Sequence, residues 1–382
     1  MKKICYVTTI SLTLKSFVVQ SASYIKEHTD WDIVMICDDD EDFAKTLPEG
    51  IRYIPVSMKR GISFDGISVI RKLVKIFREE KFDLVQYSTP NASLYVSIAA
   101  KIAKIPVRLY CQWGLVYVGF EGIKRKIFKS IEKLVCKNST EVEPDSFGNL
   151  NFAHEEGLYP ETKGRVIWNG SASGVNLSKF DIIQKSRWRE KIRAEYNIPD
   201  EDFVFGFVGR ITGDKGINEL FSAFKQVYEK NNDVHLLLVG NTEKTGSVDE
   251  SLYNWASECP NVIFAGFTNV VEQFLSAMDV YVLPSYREGF GSSVVEAEAM
   301  GIPVIATDIP GPRDAMINNK TGLAIPVKNI ESLVIAMTKL YNDKELCALF
   351  GSNGAEYAKC KYEQTKLCSY IKADRERLLG ID

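Results

Sequence analysis

Short apolar runs alternate along the whole chain with longer stretches in which apolar side chains recur every three to four positions. In the first half the runs 3–8, 32–36, 51–55, 84–87, 108–111 and 166–168 predict buried strands, and the stretches between them predict covering helices. The clearest helix is Gly66–Glu80, where Ile67, Ile70, Leu73, Val74 and Phe77 mark one face and Arg71, Lys72 and Lys75 the other. A polar, charged segment over 180–199, with Lys185, Arg187, Arg189, Glu190 and Lys191, interrupts the alternation. It restarts at Phe203-Val204-Phe205-Gly206-Phe207-Val208 and continues with strand candidates at 235–239, 262–265, 280–283 and 304–306. From about 330 to 379 the pattern is helical with no further strand. Strands alternating with helices build parallel sheets through βαβ units. The chain is therefore read as two α/β, Rossmann-like domains, 1–180 and 181–361; a last helix at about 362–382 is a candidate to pack back on the first. Ligands of such sheets bind beyond the carboxyl ends of the strands, so a cleft faced by both domains is the expected site.

The 382 residues are enough for two or three domains, and 45% hydrophobic with 25% charged residues excludes a disordered, collagen-like or coiled-coil chain. No run of about 20 apolar residues is present to span a bilayer. The start, Met1-Lys2-Lys3 then Ile4-Cys5-Tyr6-Val7, is broken by Thr8, Thr9, Ser11 and Thr13 and lacks a small-residue cleavage site. It reads as a first buried strand of a cytoplasmic protein. The eight cysteines form no C-x-x-C pair and there are only three histidines, so no Cys/His metal site is expected.

The net charge of −3 argues against a nucleic-acid partner, but it hides an asymmetry. Residues 51–137 hold 17 basic against 6 acidic side chains, a local excess of 11. That excess suits an anionic membrane or a phosphorylated ligand, and equally a set of solvated helices. Lys124, Arg125, Lys126, Lys129 and Lys133 lie on a basic amphipathic stretch preceded by Tyr117, Val118 and Phe120. Such a helix can lie on an anionic bilayer, or pack its apolar stripe on its own sheet and leave its lysines for lipid. Peripheral contact with the inner face of the cytoplasmic membrane is the expectation.

Candidate chemistry concentrates in Pro284-Ser285-Tyr286-Arg287-Glu288-Gly289-Phe290-Gly291-Ser292-Ser293-Val294-Val295-Glu296. The stretch follows a strand candidate and opens a helix that stops at Gly301, with Pro303 just beyond. Gly289 and Gly291 allow backbone amides close to a ligand, and the helix start behind them offers N–H groups and a positive dipole end. Glu288 and Glu296 can face one cavity. Alternatively Ser293-x-x-Glu296 is a capping box, and Glu288 a solvated loop acid. Asp38-Asp39-Asp40-Glu41-Asp42 contains a D-x-D spacing but is followed by no second metal ligand, and reads as a solvated acidic loop.

Glu288-x7-Glu296, with Gly289-Phe290-Gly291 between, resembles the E-x7-E motif of retaining GT-B glycosyltransferases, specifically glycosyltransferase family 4. Phe207-Val208-Gly209-Arg210-Ile211 followed by Lys215-Gly216 resembles that family's Gly-Arg…Lys-Gly loop. Val166-Ile167-Trp168-Asn169-Gly170, Leu237-Leu238-Val239-Gly240, Phe264-Ala265-Gly266-Phe267 and Ala306-Thr307-Asp308…Gly311 fall in the family's order. The likeness covers most of the chain and is strongest over 203–327.

The resemblance implies a GT-B fold and a hexosyltransferase-type enzyme. The sugar would pass from a nucleotide donor, UDP-linked, to a hydroxyl of a polyprenyl-diphosphate-linked glycan, with retention, in capsule, exopolysaccharide or O-antigen synthesis. Arg210 and Lys215, following Gly209, would bind the donor diphosphate; Glu288, Gly289, Phe290, Gly291 and Ser292 would orient the donor sugar, and Glu296 would hold the ribose. Glu288, Arg210 and Lys215 would be catalytic. In such an arrangement cations and a helix dipole replace a divalent ion, so neither metal nor cofactor is expected. The chain departs from the family in two places. Ile10-Ser11-Leu12-Thr13-Leu14-Lys15-Ser16 lacks the frequent Gly-Gly pair, leaving Lys15 and Ser16 to meet a phosphate of donor or acceptor. Trp113 stands where a histidine is frequent, either to stack on a sugar or to fill core. The competing readings are a nucleotide-sugar epimerase and a non-catalytic pseudo-transferase that binds membrane or a partner. An NAD-dependent oxidoreductase is disfavoured because no G-x-G-x-x-G follows the first strand.

Overall fold

A computed structural model describes residues 1–58, 65–243 and 248–381. The chain forms two compact units, Met1–Ser173 with Gln364–Asp382, and Gly174–Glu363. The first crossing precedes the polar segment at 180 because residues after 173 already belong to the second core. Val175 and Phe180 are buried in it, and the helix Lys185–Glu195 packs on the helix Val271–Ala277.

The first unit holds a six-stranded parallel sheet: β1 Lys3–Val7, β2 Asp32–Cys37, β3 Ile51–Pro55, β4 Leu84–Tyr87, β5 Val107–Gln112 and β6 Glu141–Pro144. Its order is β3-β2-β1-β4-β5-β6, so the winding reverses between β1 and β4. Side-chain alternation buries both faces, as a parallel sheet requires. Cys5, Val7, Val85 and Tyr87 face the helices Gly66–Glu80, Pro90–Ile102 and Gly122–Asn138. Ile4, Tyr6, Ile33 and Met35 face Ser11–Phe17, Val19–His28 and Gln364–Leu378.

Two expectations for this unit are corrected. Residues 166–168 are not a strand. Trp168 turns the chain at φ 50°, stacks on Tyr370 at 5.4 Å, and Ile167 joins the core beneath the last helix, so their apolarity serves docking of that helix. The sixth strand is β6, whose Glu-Val-Glu-Pro composition conceals it. Its acids are tolerated because Glu143 meets a buried cation. Arg375, on the last helix and 1% exposed, donates to both Glu143 oxygens, to Gln86 Oε1 (2.9 and 3.2 Å) and to Asp374 Oδ2 (2.7 Å). Asp374 is also paired with Arg165 and Arg377.

The second unit repeats the plan with β7 Phe203–Val208, β8 Val234–Val239, β9 Val262–Gly266, β10 Val280–Leu283, β11 Val304–Thr307 and β12 Gly322–Ile325, in the order β12-β11-β10-β7-β8-β9. β12 is an addition to the sequence reading: four residues opened by a glycine give too short a run to register. The carboxyl end is helical, as expected, in Ile330–Asn342, Lys344–Tyr362 and Gln364–Leu378. Among the described residues no helix is long and apolar enough to cross a membrane.

Candidate active site

In the second unit the winding reverses between β7 and β10, and the loops leaving β7, β10 and β11 meet at this switch point. They touch backbone to backbone, which glycine alone permits. Gly216, at φ +73°, would place a Cβ 2.0 Å from the Pro284 carbonyl oxygen, and Gly311, at φ +95°, one 2.1 Å from that of Gly289. The loop carrying Arg210 and Lys215 is thereby pressed against the loop carrying Glu288.

Lys215 Nζ lies 2.6 Å from Glu288 Oε1, with side chains only 19% and 13% exposed. Arg210 is more open and holds both Glu243 oxygens at 3.0–3.1 Å. Asp214 is the hub beneath them. It accepts the Thr212 hydroxyl at 2.6 Å and Arg287 Nη2 at 3.0 Å, and stands 3.8 Å from Arg210. Burial pushes its pKa up, but that hydroxyl and the neighbouring Arg287, Arg210 and Lys215 outweigh burial and hold it below the usual range. Tyr286 braces the same loop, donating its hydroxyl to Glu219 at 2.6 Å.

The helix Ser292–Ala299 starts after Gly291, and no side chain caps it. The alternative capping box is not formed: the Ser293 hydroxyl instead accepts from Tyr281 at 2.7 Å. The positive end of the helix therefore points from beneath the Gly289–Gly291 turn without a side chain across it. Glu296, one turn in, is half-buried, and its surroundings raise its pKa to about 7. Burial is the main cause; Glu272 adds to it and Lys179 opposes it. Ser292 is half-buried at the helix start, and Gly209 follows β7 with its N–H on the Val239 carbonyl. Phe290 departs from expectation. It is 3% exposed and packs edge-on against Tyr362 at 5.1 Å, so it supports the loop from within the core. Tyr362 in turn donates to the Asp314 carbonyl at 2.7 Å, tying the turn to the loop after β11.

In the first unit, Lys15 and Ser16 are exposed on the helix after β1, and Trp113, just past β5, is half-buried with its ring 5.4 Å from Phe17. These loops do share one end of the sheet. The acidic run is not merely a solvated loop. Asp38 accepts the Ser11 N–H at 2.8 Å, and Asp40 accepts the Ser11 hydroxyl at 2.6 Å and caps Glu41–Thr46 through the Phe43 N–H. Among the described residues no group of three or more His, Cys, Asp or Glu is placed to hold a metal ion. A feature absent from the sequence reading is Thr89, a β-branched residue at φ +68°. It is held by Thr9, whose hydroxyl lies 2.8 Å away, where the winding of the first sheet reverses. A residue before proline is normally driven to extended backbone, so no sequence signal announces it.

On the helix Gly122–Asn138, Lys124, Lys126 and Lys133 are exposed. Arg125 and Lys129 turn toward Glu156, at 3.4 and 2.7 Å, and so differ from the other three expected membrane cations.

Known proteins share both halves of this plan. Residues 3–146 match the family model described as glycosyl transferase 4-like, and residues 188–357 that described as glycosyl transferases group 1. The capsular polysaccharide biosynthesis glycosyltransferase CapM of Staphylococcus aureus is 31% identical over 362 residues, 94% of this chain and 93% of CapM. The UDP-Gal:α-D-GlcNAc-diphosphoundecaprenol α-1,3-galactosyltransferase of Escherichia coli is 27% identical over 328 residues, 83% of this chain and 81% of that protein. Among solved structures, Anabaena HepE in complex with UDP-glucose superposes with a TM-score of 0.76 at 18% identity, covering 99% of this chain and all of HepE. Two doubly wound parallel units of this kind are the GT-B glycosyltransferase architecture. Within that class, the chain belongs to the family-4 type of glycosyltransferase.

Proposed function

We propose that the second unit binds a UDP-linked sugar and that the enzyme transfers it, with retention, to a hydroxyl of a polyprenyl-diphosphate-linked glycan, using protein cations in place of a divalent ion. The observation that carries this reading is the Lys215–Glu288 pair at 2.6 Å beside an uncapped helix start. The specificity of the E. coli relative, a UDP donor and a diphosphoundecaprenol acceptor, supports the substrate classes. The UDP-glucose bound to HepE supports the donor nucleotide.

Each cation has a carboxylate partner: Lys215 has Glu288 and Arg210 has Glu243. A diphosphate offers both a stronger anion, so the cations exchange partners when the donor arrives. Glu288 is then released to accept a hydroxyl of the donor sugar. As the bond from C1 to the diphosphate oxygen breaks, negative charge grows on that oxygen, and Lys215, Arg210 and the helix start oppose it without reorganising. The departing phosphate oxygen takes the acceptor proton while the acceptor oxygen bonds to C1 on the same face. UDP leaves protonated on that oxygen and the configuration is kept.

A panel of UDP-sugars with a polyprenyl-diphosphate-linked saccharide tests this. Acceptor-dependent UDP release, unchanged by EDTA, with an α-linked product by NMR from an α-linked donor, is the expected result. A donor epimerised without acceptor identifies the epimerase reading, no turnover with any donor identifies a non-catalytic subunit, and chelator-sensitive transfer overturns the metal-free scheme.

Glu296 supplies a pH signature. With a pKa of about 7 it is a carboxylic acid at pH 6 and a carboxylate, the better acceptor for ribose hydroxyls, at pH 8. UDP affinity in calorimetry should rise roughly fivefold more across that range in the wild type than in Glu296→Gln, the comparison cancelling ionisation of the phosphate itself. The sign for stability is opposite. The folded-state pKa lies above the ordinary 4.5, so the stability Glu296 contributes is lost as pH rises from about 4.5 to about 7, and Glu296→Gln flattens that slope.

A further inference from the structure

We propose that the bilayer-docking surface of the first unit is a face shared by three consecutive helices, and that the groove between Gly66–Glu80 and Pro90–Ile102 seats anionic phospholipid headgroups. This rests on the reading of the acceptor as lipid-linked, and extends membrane contact beyond the helix Gly122–Asn138.

The three helices are neighbours: Pro90–Ile102 packs between the other two, and all cover one side of the sheet. The groove has a volume of about 540 Å³, with Ile70, Val74 and Ile102 as its apolar lining and Arg71, Lys75 and Arg78 as its cations. Among the described residues Glu79 is the one acid lining it, and its contact with Lys75 is loose, 3.9 Å between strongly exposed side chains. Ile67, Arg71, Lys75 and Arg78 fall on a single helical stripe, all exposed. Ile67 is 60% and Ile102 48% exposed.

The same mixture recurs on the third helix. Ile123, Ile127 and Leu134 form one stripe, 77%, 49% and 41% exposed, bordered by exposed Lys124, Lys126, Lys133 and Lys137. A single exposed aliphatic residue is ordinary. Five of them among exposed cations, on adjacent helices in the region of greatest basic excess, are not. An acidic polypeptide would answer the cations and leave the aliphatic side chains in water. The headgroup layer of an anionic bilayer answers both, phosphates meeting the cations while the aliphatic tips enter the acyl boundary.

The test is co-sedimentation of the full chain with phosphatidylglycerol vesicles and with phosphatidylcholine vesicles, and retention on immobilised polyglutamate. Wild type should bind the first far better than the other two. Arg71→Gln/Lys75→Gln/Arg78→Gln should weaken vesicle binding about tenfold to a hundredfold, and Ile67→Ser/Ile102→Ser at least severalfold. Both should keep wild-type turnover on a short-chain, detergent-free acceptor, which shows that they fold and leave the donor site intact. Wild-type vesicle binding by the triple variant overturns the groove as a lipid site. Equal binding to phosphatidylcholine, or tighter retention on polyglutamate, overturns the anionic bilayer as the occupant. Failure of turnover on every acceptor with vesicle binding intact counts against the proposed function and leaves the docking face standing.

Discussion

Lys215→Met lowers kcat by about two to three orders of magnitude, with a much smaller change in KM for the donor. The size follows from removing one preorganised charge at the position where the leaving group gathers its own. The split follows because the diphosphate carries most of its charge in the bound donor, whereas the additional charge on the bridging oxygen appears only as the bond to C1 breaks. Methionine keeps the apolar stem, so the Gly216–Pro284 contact is undisturbed. A second consequence concerns the partner. Without the ammonium, Glu288 is a carboxylate 13% exposed with its 2.6 Å cation gone, facing an incoming diphosphate of the same sign. Lys215→Met/Glu288→Gln should therefore bind UDP more tightly than Lys215→Met alone, although it is no better a catalyst. Steady-state UDP release and calorimetry measure the two effects. A fall in kcat below about fivefold removes Lys215 from the leaving-group site.

Arg375→Met destabilises the first unit by about 3–5 kcal/mol, the usual cost of leaving a buried charge without its partner. Arg375 is 1% exposed, and its guanidinium spans Gln86 on β4, Glu143 on β6 and its neighbour Asp374. Asp374 retains Arg165 and Arg377, but Glu143 loses both bonds from Arg375. Arg375→Met/Glu143→Leu, which removes the orphaned acid, should recover much of the loss. Urea unfolding followed separately for each unit gives the measurement, since two domains need not unfold in one transition. A loss under 1 kcal/mol would mean that water already reaches this cluster.

The strands and the loops of the candidate site were legible to the extent that they are local. β1 to β5 and β7 to β11 are apolar runs between turn residues, and a parallel sheet covered on both faces makes such runs conspicuous. Glu288, Glu296, Arg210 and Lys215 stood out because their spacing along the chain repeats a family pattern. Features set by partners distant in sequence were hidden. β6 carries acids because of Arg375, more than 200 residues later. The apolar 166–168 segment imitates a strand because it awaits the last helix, and Phe290 looks like a ligand contact until Tyr362 covers it. The acidic run after β2 looks solvated in sequence because Ser11, whose N–H and hydroxyl it receives, opens a helix after a different strand. Thr89 is a backbone conformation, imposed by Thr9 from a neighbouring strand end.

The crossing points, after Ser173 and after Glu363, have a bearing on biosynthesis. On the ribosome, the sheet of the first unit emerges early, yet the helix bearing Leu367 and Ile371 that helps shield Ile4, Tyr6 and Ile33 emerges only after all of Gly174–Glu363. Until then that side of the sheet is covered by Ser11–Phe17 and Val19–His28 alone, while Gly174–Glu363, an unbroken segment, can close around its own core as soon as it is made. The second unit can thus be complete before the first, and a chain broken off before Gln364 would keep Gly174–Glu363 whole and leave the first unit unsealed.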